Sequence, residues 1–229
     1  MLQASHRAEA NVVLVGCGGI GKSSLIYRYA NGRLDSKAVP SGLDITTKDL
    51  NTSPCRVMLR VWDINGVNQP GNKTRLNDKN AFAAVLCYDL TDIRTLFHVV
   101  NWIEEIRSTT PDCVLYLCGL RNDRVARDDD DDHPPADSPT QTTSSASVSP
   151  NELHHYHRWA LTRHHRPGYF SALREFCLKY DISGVYETSA VTGANVQALF
   201  TEIVSEWIAR YSDQCNIDRT NPDGKCAIM

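Results

Sequence analysis

Eight consecutive residues, Gly16-Cys17-Gly18-Gly19-Ile20-Gly21-Lys22-Ser23, fit the pattern G-x-x-x-x-G-K-[ST], and this run limits what the chain can become more than any other. Its glycines let the backbone bend without a Cβ clash, so successive amide hydrogens turn inward and form a nest for polyphosphate. Lys22 then supplies a point charge to the β- and γ-phosphates, and Ser23 offers a hydroxyl to the magnesium ion that bridges them. The pattern carries this meaning only between a strand and a helix. Asn11-Val12-Val13-Leu14-Val15 before it reads as a short buried strand, and Ser24 to Ala30 after it reads as a helix. Gly16, Gly18, Gly19, Ile20, Gly21, Lys22, Ser23 and Ser24 are therefore the first candidates for nucleotide contact.

A chain of 229 residues has room for one domain with a substantial core. Its net charge of -3, with both signs interspersed, gives no electrostatic footprint for nucleic acid. Cys17, Cys55, Cys87, Cys113, Cys118, Cys177, Cys215 and Cys226 are scattered without metal-ligand spacing, the pattern of reduced thiols in a cytosolic protein. Residues 1–10 lack the apolar run of a signal peptide, and no stretch approaches the roughly 20 apolar residues of a membrane span.

Beyond the first helix, residues 32–42 are polar and broken by Pro40, a loop leading into a hairpin of strands 44–50 and 55–62. Val57, Leu59 and Val61 alternate as one buried face requires. Residues 67–80 are polar and loop-like. Phe82 to Tyr88 is a continuous apolar run, the mark of a parallel strand covered on both faces. A helix over 93–108 and a strand over 113–118 continue a βαβ alternation. From about 124 to 167 the composition shifts to five consecutive aspartates (128–132) and a Ser, Thr and Pro-rich stretch, which predicts a disordered insertion. His154, His155, His157, His164 and His165 crowd there with no ordered partner ligand, so they read as solvated loop residues. A helix over 168–180, a strand over 185–188 and a last helix with apolar residues at 196, 199, 200, 203, 204, 207, 208 and 211 follow. Residues 1–10 are expected to be an extension and 212–229 a polar, flexible tail.

These residues together resemble the Ras superfamily of small GTPases, and most closely its Rab branch. The resemblance implies an α/β fold of the P-loop NTPase type, three layers with a mostly parallel five- to six-stranded sheet and helices on both faces. In that family a switch-loop hydroxyl completes the magnesium shell, and Ser41 stands at the corresponding spacing from Lys22. Gly42-Leu43-Asp44-Ile45 resembles the Rab segment G-[IV]-D-F, one residue closer than usual. Trp62-Asp63-Ile64-Asn65-Gly66-Val67-Asn68 resembles W-D-T-A-G-Q-E, so that Asp63 would hold magnesium through water and the Gly66 amide would sense the γ-phosphate, with Lys22 and Gly66 as the catalytic pair. Val67 replaces the glutamine that orients the attacking water, and slow intrinsic hydrolysis is expected because valine neither donates nor accepts a hydrogen bond.

Gly119-Leu120-Arg121-Asn122-Asp123 aligns with G-N-K-x-D. Asp123 would accept both guanine NH groups and Arg121 would stack over the ring, while Leu120 has lost the amide. Glu187-Thr188-Ser189-Ala190-Val191-Thr192-Gly193 resembles E-T-S-A-K-T-G, in which the Ala190 amide would cap the guanine carbonyl, so Ser189 and Ala190 join the implied nucleotide-binding residues. Cys226-Ala227-Ile228-Met229 forms a C-a-a-X box whose terminal methionine points to farnesylation, with Cys215 as a second acyl acceptor. The implied cofactors are GTP or GDP and Mg2+. The implied partners are effectors, an exchange factor and an activating protein at switch loops near 34–46 and 64–79, and the cytoplasmic face of a membrane through the Cys226 farnesyl group. Nothing points to a homo-oligomer. The rival reading is a hydrolysis-deficient scaffold that binds nucleotide, suggested by Val67, Leu120 and Val191.

Overall fold

The computed structural model describes residues 8–35, 37, 39, 45–52, 56–64, 79–125 and 167–217, with the side chains of 167–172 and 212–217 left aside. Ser41, Gly66, Val67, residues 126–166 of the expected insertion with its histidines, and the Cys226 box lie outside these residues, as does the side chain of Cys215.

Among the described residues six strands form one sheet: β1 (Ala8–Gly16), β2 (Ile45–Asn51), β3 (Arg56–Asp63), β4 (Ala83–Asp89), β5 (Val114–Leu120) and β6 (Ile182–Glu187). Their order is β2-β3-β1-β4-β5-β6, and only β2 runs antiparallel to its neighbour. The mostly parallel sheet expected from the sequence is present. Every residue of β4 and of β5 is buried, as their unbroken apolar runs require of central strands covered on both faces. At the edge, β2 alternates between exposed and half-buried residues.

The helices are α1 (Lys22–Asn31), α2 (Arg94–Phe97), α3 (Val99–Thr109), α4 (Pro167–Tyr180) and α5 (Val196–Ile217), with a 3-10 turn at Asn122–Arg124. Period-two alternation along β1 sorts its side chains between two buried layers. Val12 and Leu14 join Leu25 and Ile26 of α1 and Leu199, Phe200 and Ile203 of α5. Val13 and Val15 join Val99, Ile103 and Ile106 of α3 and Leu173 of α4. Tyr29 stacks on the fully buried Phe200 with ring centroids 3.9 Å apart, locking α1 to α5; burying a ring of this size contributes about 1.5–3 kcal/mol.

Three element boundaries differ from the sequence reading. β1 starts at Ala8, inside the expected extension, because Ala8, Glu9 and Ala10 pair in register with Val57, Met58 and Leu59. The helix expected over 93–108 is interrupted at His98, whose φ of -70° and ψ of -18° stay helical, so the two pieces run on with a break in hydrogen bonding alone. α5 continues to Ile217, beyond the last residue of its apolar stripe and into the expected tail.

The connection after β1 goes to the β2–β3 side of the sheet and the connection after β3 goes to β4 on the other side of β1, so the direction of the strand order reverses at β1. In open α/β sheets that reversal creates a crevice at the carboxyl ends of the strands. The glycine run after β1 sits in it.

Candidate nucleotide-binding site

β1 ends at Gly16 and α1 begins at Lys22, so the five residues between them make the whole turn. Gly16 has a φ of 142°, and a Cβ there would collide with the backbone carbonyl of Cys87 on β4. Only glycine lets the loop lie this close to the sheet. Gly21, with a φ of 111°, caps α1 without a side-chain hydrogen bond, which leaves the first-turn amides of the helix directed at the loop. Gly19, Gly21, Lys22, Ser23 and Ser24 line the resulting open cavity, and Ile20 is buried beneath it.

Lys22 is only 4% exposed. Its Nζ donates to the carbonyls of Gly16 at 3.1 Å and Cys17 at 2.8 Å, so the ammonium spans the loop it belongs to. An ammonium has three donors, and two of them serve the loop. The third is left for a phosphate.

Parallel pairing places Leu14 opposite Asp63, and the Ile64 amide donates to the Leu14 carbonyl at 3.0 Å. That register brings Asp63, at the end of β3, level with the start of α1. Ser23 Oγ donates directly to Asp63 Oδ2, and Asp63 is 3% exposed. A hydroxyl and a carboxylate brought together beside a phosphate cradle form an all-oxygen donor set. Magnesium takes such ligands, one or two from protein and the rest from phosphates and water, so these residues fit it.

On the far side of the crevice, β5 and β6 pair with Gly119 opposite Glu187. The loops that follow are sewn together by Thr188 N–H to the Gly119 carbonyl at 2.7 Å and Asn122 N–H to the Thr188 carbonyl at 3.0 Å. Asp123 and Ser189 therefore meet although distant in sequence: Ser189 Oγ donates to Asp123 Oδ1 at 2.5 Å. Ser189 Oγ also accepts from the Thr192 amide at 3.1 Å, and the Gly193 amide donates to the Ser189 carbonyl at 2.8 Å. These bonds close a tight turn with Ala190 at its tip side.

Arg121 adopts a left-handed conformation, φ 66° and ψ 36°, which turns its side chain back across the crevice. Nη2 donates to the Gly19 carbonyl at 2.6 Å and Nη1 to Asp89 Oδ2 at 2.5 Å. Asp89, 4% exposed, uses its other oxygen to accept from the Thr91 amide at 2.9 Å and Thr91 Oγ1 at 2.6 Å. One guanidinium thus ties the phosphate loop, the end of β4 and the base-side loop together. Asp89 was missed in the sequence; its signal was an acid closing a central strand at the carboxyl edge of the sheet. Leu120 is 3% exposed and belongs to the same buried cluster as Ile20, Cys118 and Phe200. The side chain that lacks the family's amide is a core residue.

An ammonium is a point charge and spans two such acceptors poorly, whereas a guanidinium forks. Arg121→Lys, which installs the commoner residue of the motif, is expected to speed nucleotide dissociation roughly 3–10-fold. A displacement assay on both proteins measures it; unchanged or slower release would show that the Asp89 arm contributes nothing.

Burial pushes the thiols of Cys113 and Cys177 up to about 12 and raises Cys87 as well, so none of the three is a ready nucleophile. Among the described residues the cysteines at 17, 87, 113, 118 and 177 are free.

A phosphate cradle with a buried lysine, a hydroxyl–carboxylate pair for a hard cation and an acid supported by a serine on the opposite loop define a P-loop nucleotide-binding protein of the α/β class. The chain matches the Ras family model over residues 11–209, and it belongs to that family, the small GTPases that bind GTP, GDP and Mg2+ and meet regulators and effectors through their switch regions. It is 23% identical over 216 residues to the Ras-related protein Rab-24 of Dictyostelium discoideum, covering 94% of this chain and 89% of that one. It is 25% identical over 216 residues to the GTP-binding protein ypt4 of Schizosaccharomyces pombe, covering 92% of this chain and 76% of that one. To the Ras-related protein RABA1c of Arabidopsis thaliana it is 33% identical over 115 residues, 49% of this chain and 53% of the relative. Among the described residues no helix is long and apolar enough to cross a membrane.

Proposed function

We propose that this chain is a Rab-type switch that holds GTP slowly turning over to GDP, acts on membrane traffic through effectors that read its switch loops, and reaches membranes through a farnesyl group on Cys226. The observation that carries the nucleotide part is the convergence of Lys22, the Ser23–Asp63 pair and the Asp123–Ser189 pair on one crevice. The Rab part is supported by the Rab-related proteins it resembles and by the Trp62-Asp63 and Gly42-Leu43-Asp44-Ile45 segments.

The chain's own residues divide the work. The glycine loop and the amides of α1 bind the phosphates, Lys22 places positive charge beside the β- and γ-phosphoryl oxygens, and Asp123 and the Ala190 amide hold guanine by hydrogen bonds of opposite sense. Ser23 and Asp63, with Ser41, would hold Mg2+, which supplies neutralisation of charge on the phosphate oxygens when bound. The Gly66 amide reports the γ-phosphate to the loop it belongs to. Val67 has no means of orienting a water, so the barrier to hydrolysis keeps the contribution that positioning otherwise removes.

Equilibrium binding of GTP, GDP and ATP in the presence of Mg2+ tests the reading. Guanine nucleotides are expected to bind at micromolar or tighter Kd and ATP at least about 100-fold more weakly, the discrimination a hydrogen-bonding pocket gives. Equal binding of ATP would sink it. Val67→Gln is expected to raise single-turnover hydrolysis by about tenfold or more, since placing a general acid–base or orienting group is worth at least that much.

Val67, Leu120 and Val191, which depart from the family's motifs, support a second reading, a scaffold that binds nucleotide and hardly hydrolyses it. Single-turnover assays with and without cell extract separate the two. Acceleration by an activating protein favours the switch, and none favours the scaffold.

A further inference from the structure

Arg28 lies in the last turn of α1, the helix whose first residues are Lys22 and Ser23. Its side chain leaves the helix for the loop on the opposite side of the crevice. Nη1 donates to the Val191 carbonyl and Nη2 to the Thr192 carbonyl, each at 3.0 Å. Two successive carbonyls thus share one guanidinium fork, and a planar fork fixes the orientation of both peptide groups. Gly193 follows with a φ of 85°, and a Cβ at that position would collide with the Arg28 guanidinium. The glycine therefore satisfies both the left-handed turn and the seat of the arginine.

The peptides that Arg28 holds lie next to the Ala190 amide. From the inner side the same loop is held by Ser189 and Asp123, and by Asn195 Nδ2 donating to the Glu187 carbonyl at 2.8 Å. Val191 is 58% exposed, so the loop gains nothing from burying the residue at its turn. Its orientation rests on hydrogen bonds. Arg28 is the member of that set that connects the loop to the helix carrying the phosphate-binding residues, six positions and ~9 Å along the axis from Lys22.

We infer that Arg28 is a positioning residue for guanine: it holds the 189–194 loop so that the Ala190 amide meets the base oxygen, and it couples that cap to the phosphate-binding end of α1. This rests on the guanine-nucleotide reading above. A merely structural tie would loosen every nucleotide alike. A positioning tie loosens only nucleotides that present an oxygen to the Ala190 amide.

The test compares release of GDP with release of 2-aminopurine riboside diphosphate, which keeps the ring, 2-amino group, ribose and phosphates and lacks the 6-oxo group together with the N1 proton. The lost N1–H contact to Asp123 is common to both proteins, so the effect of Arg28 is read from the variant-to-wild-type ratio for each nucleotide. In the wild-type protein GDP should leave the more slowly of the two. Arg28→Ala is expected to speed GDP release roughly tenfold, the effect of losing exposed charge-assisted hydrogen bonds, and to change release of the analogue by less than about twofold. Arg28→Lys should recover part of the GDP effect. Gly193→Ala, which puts a methyl group where the guanidinium sits, should reproduce the selective loss without removing any charge. Equal acceleration of both nucleotides, or none of either, would overturn the inference. If the wild-type protein itself releases the two at the same rate, the guanine reading falls; if it discriminates and Arg28→Ala still discriminates as well, only the role of Arg28 falls.

Discussion

Lys22→Ala is expected to weaken GDP and GTP binding by about 100- to 1,000-fold, in line with the 2–5 kcal/mol that truncating one partner of a buried charge pair costs. The magnitude follows from where the ammonium sits. It is buried and fixed by the Gly16 and Cys17 carbonyls, so its charge faces the cradle in a region of low dielectric and is not shared with water. Alanine removes that charge and also leaves the two carbonyls without their donor, at a cost of about 1–3 kcal/mol for a group that stays dry. The variant should therefore melt at a lower temperature than the wild-type protein yet remain folded, since the core around Leu14, Leu25 and Phe200 is untouched. Fluorescent-nucleotide titration together with a circular dichroism melt checks both parts. Binding within threefold of wild type would mean that the loop amides alone hold the phosphates.

Asp123→Asn is expected to cost roughly 10,000-fold in GTP affinity and to bring XTP ahead of GTP. A carboxylate only accepts, and guanine presents N1–H and the 2-amino group as donors. The asparagine amide places a donor opposite one of these donors. Xanthine carries a carbonyl where guanine carries the amino group, so the new donor meets an acceptor instead. The fold has little reason to change, because Oδ1 accepts from Ser189 Oγ and an asparagine carbonyl can accept the same bond. That separation makes the variant informative: competition between GTP and XTP reports base reading, while an unchanged melting temperature shows that the loop has kept its place. Retention of GTP preference would mean that Asp123 belongs to the Ser189 turn and does not touch the base.

The residues that were legible in the sequence are those whose role depends on near neighbours. The phosphate loop is contiguous, and each of its glycines and its lysine announces its task through spacing. β4 and β5 were visible as unbroken apolar runs, because strands buried on both faces leave no other choice of side chain. What stayed hidden depends on partners far along the chain. Ala8, Glu9 and Ala10 look like an extension until β3 supplies their register. The tie between Asp89 and Arg121 requires positive φ at an arginine, a conformation that an arginine codon does nothing to advertise. Leu120 reads as a lost base contact, yet its substitution for an amide is equally a gain of apolar volume beside Ile20 and Cys118. The end of α5 was misread because the apolar stripe stops at Tyr211, whereas an established helix propagates at little cost without one. Ser41, Gly66 and Val67 lie outside the described residues, and their roles follow from the resemblance alone.

The length of α5 also sets how far the domain can stand from a bilayer. With a lipid on Cys226, the leash begins at Ile217 rather than at residue 212, leaving nine peptide units between rod and anchor. Fully stretched, those units reach about 30 Å at ~3.3–3.6 Å each. About 20 Å more, six further units, would have been available had the helix stopped with its apolar stripe at Tyr211. A partner protein engaging the switch loops would then meet a body moored, at its α5 end, within about 30 Å of the headgroups.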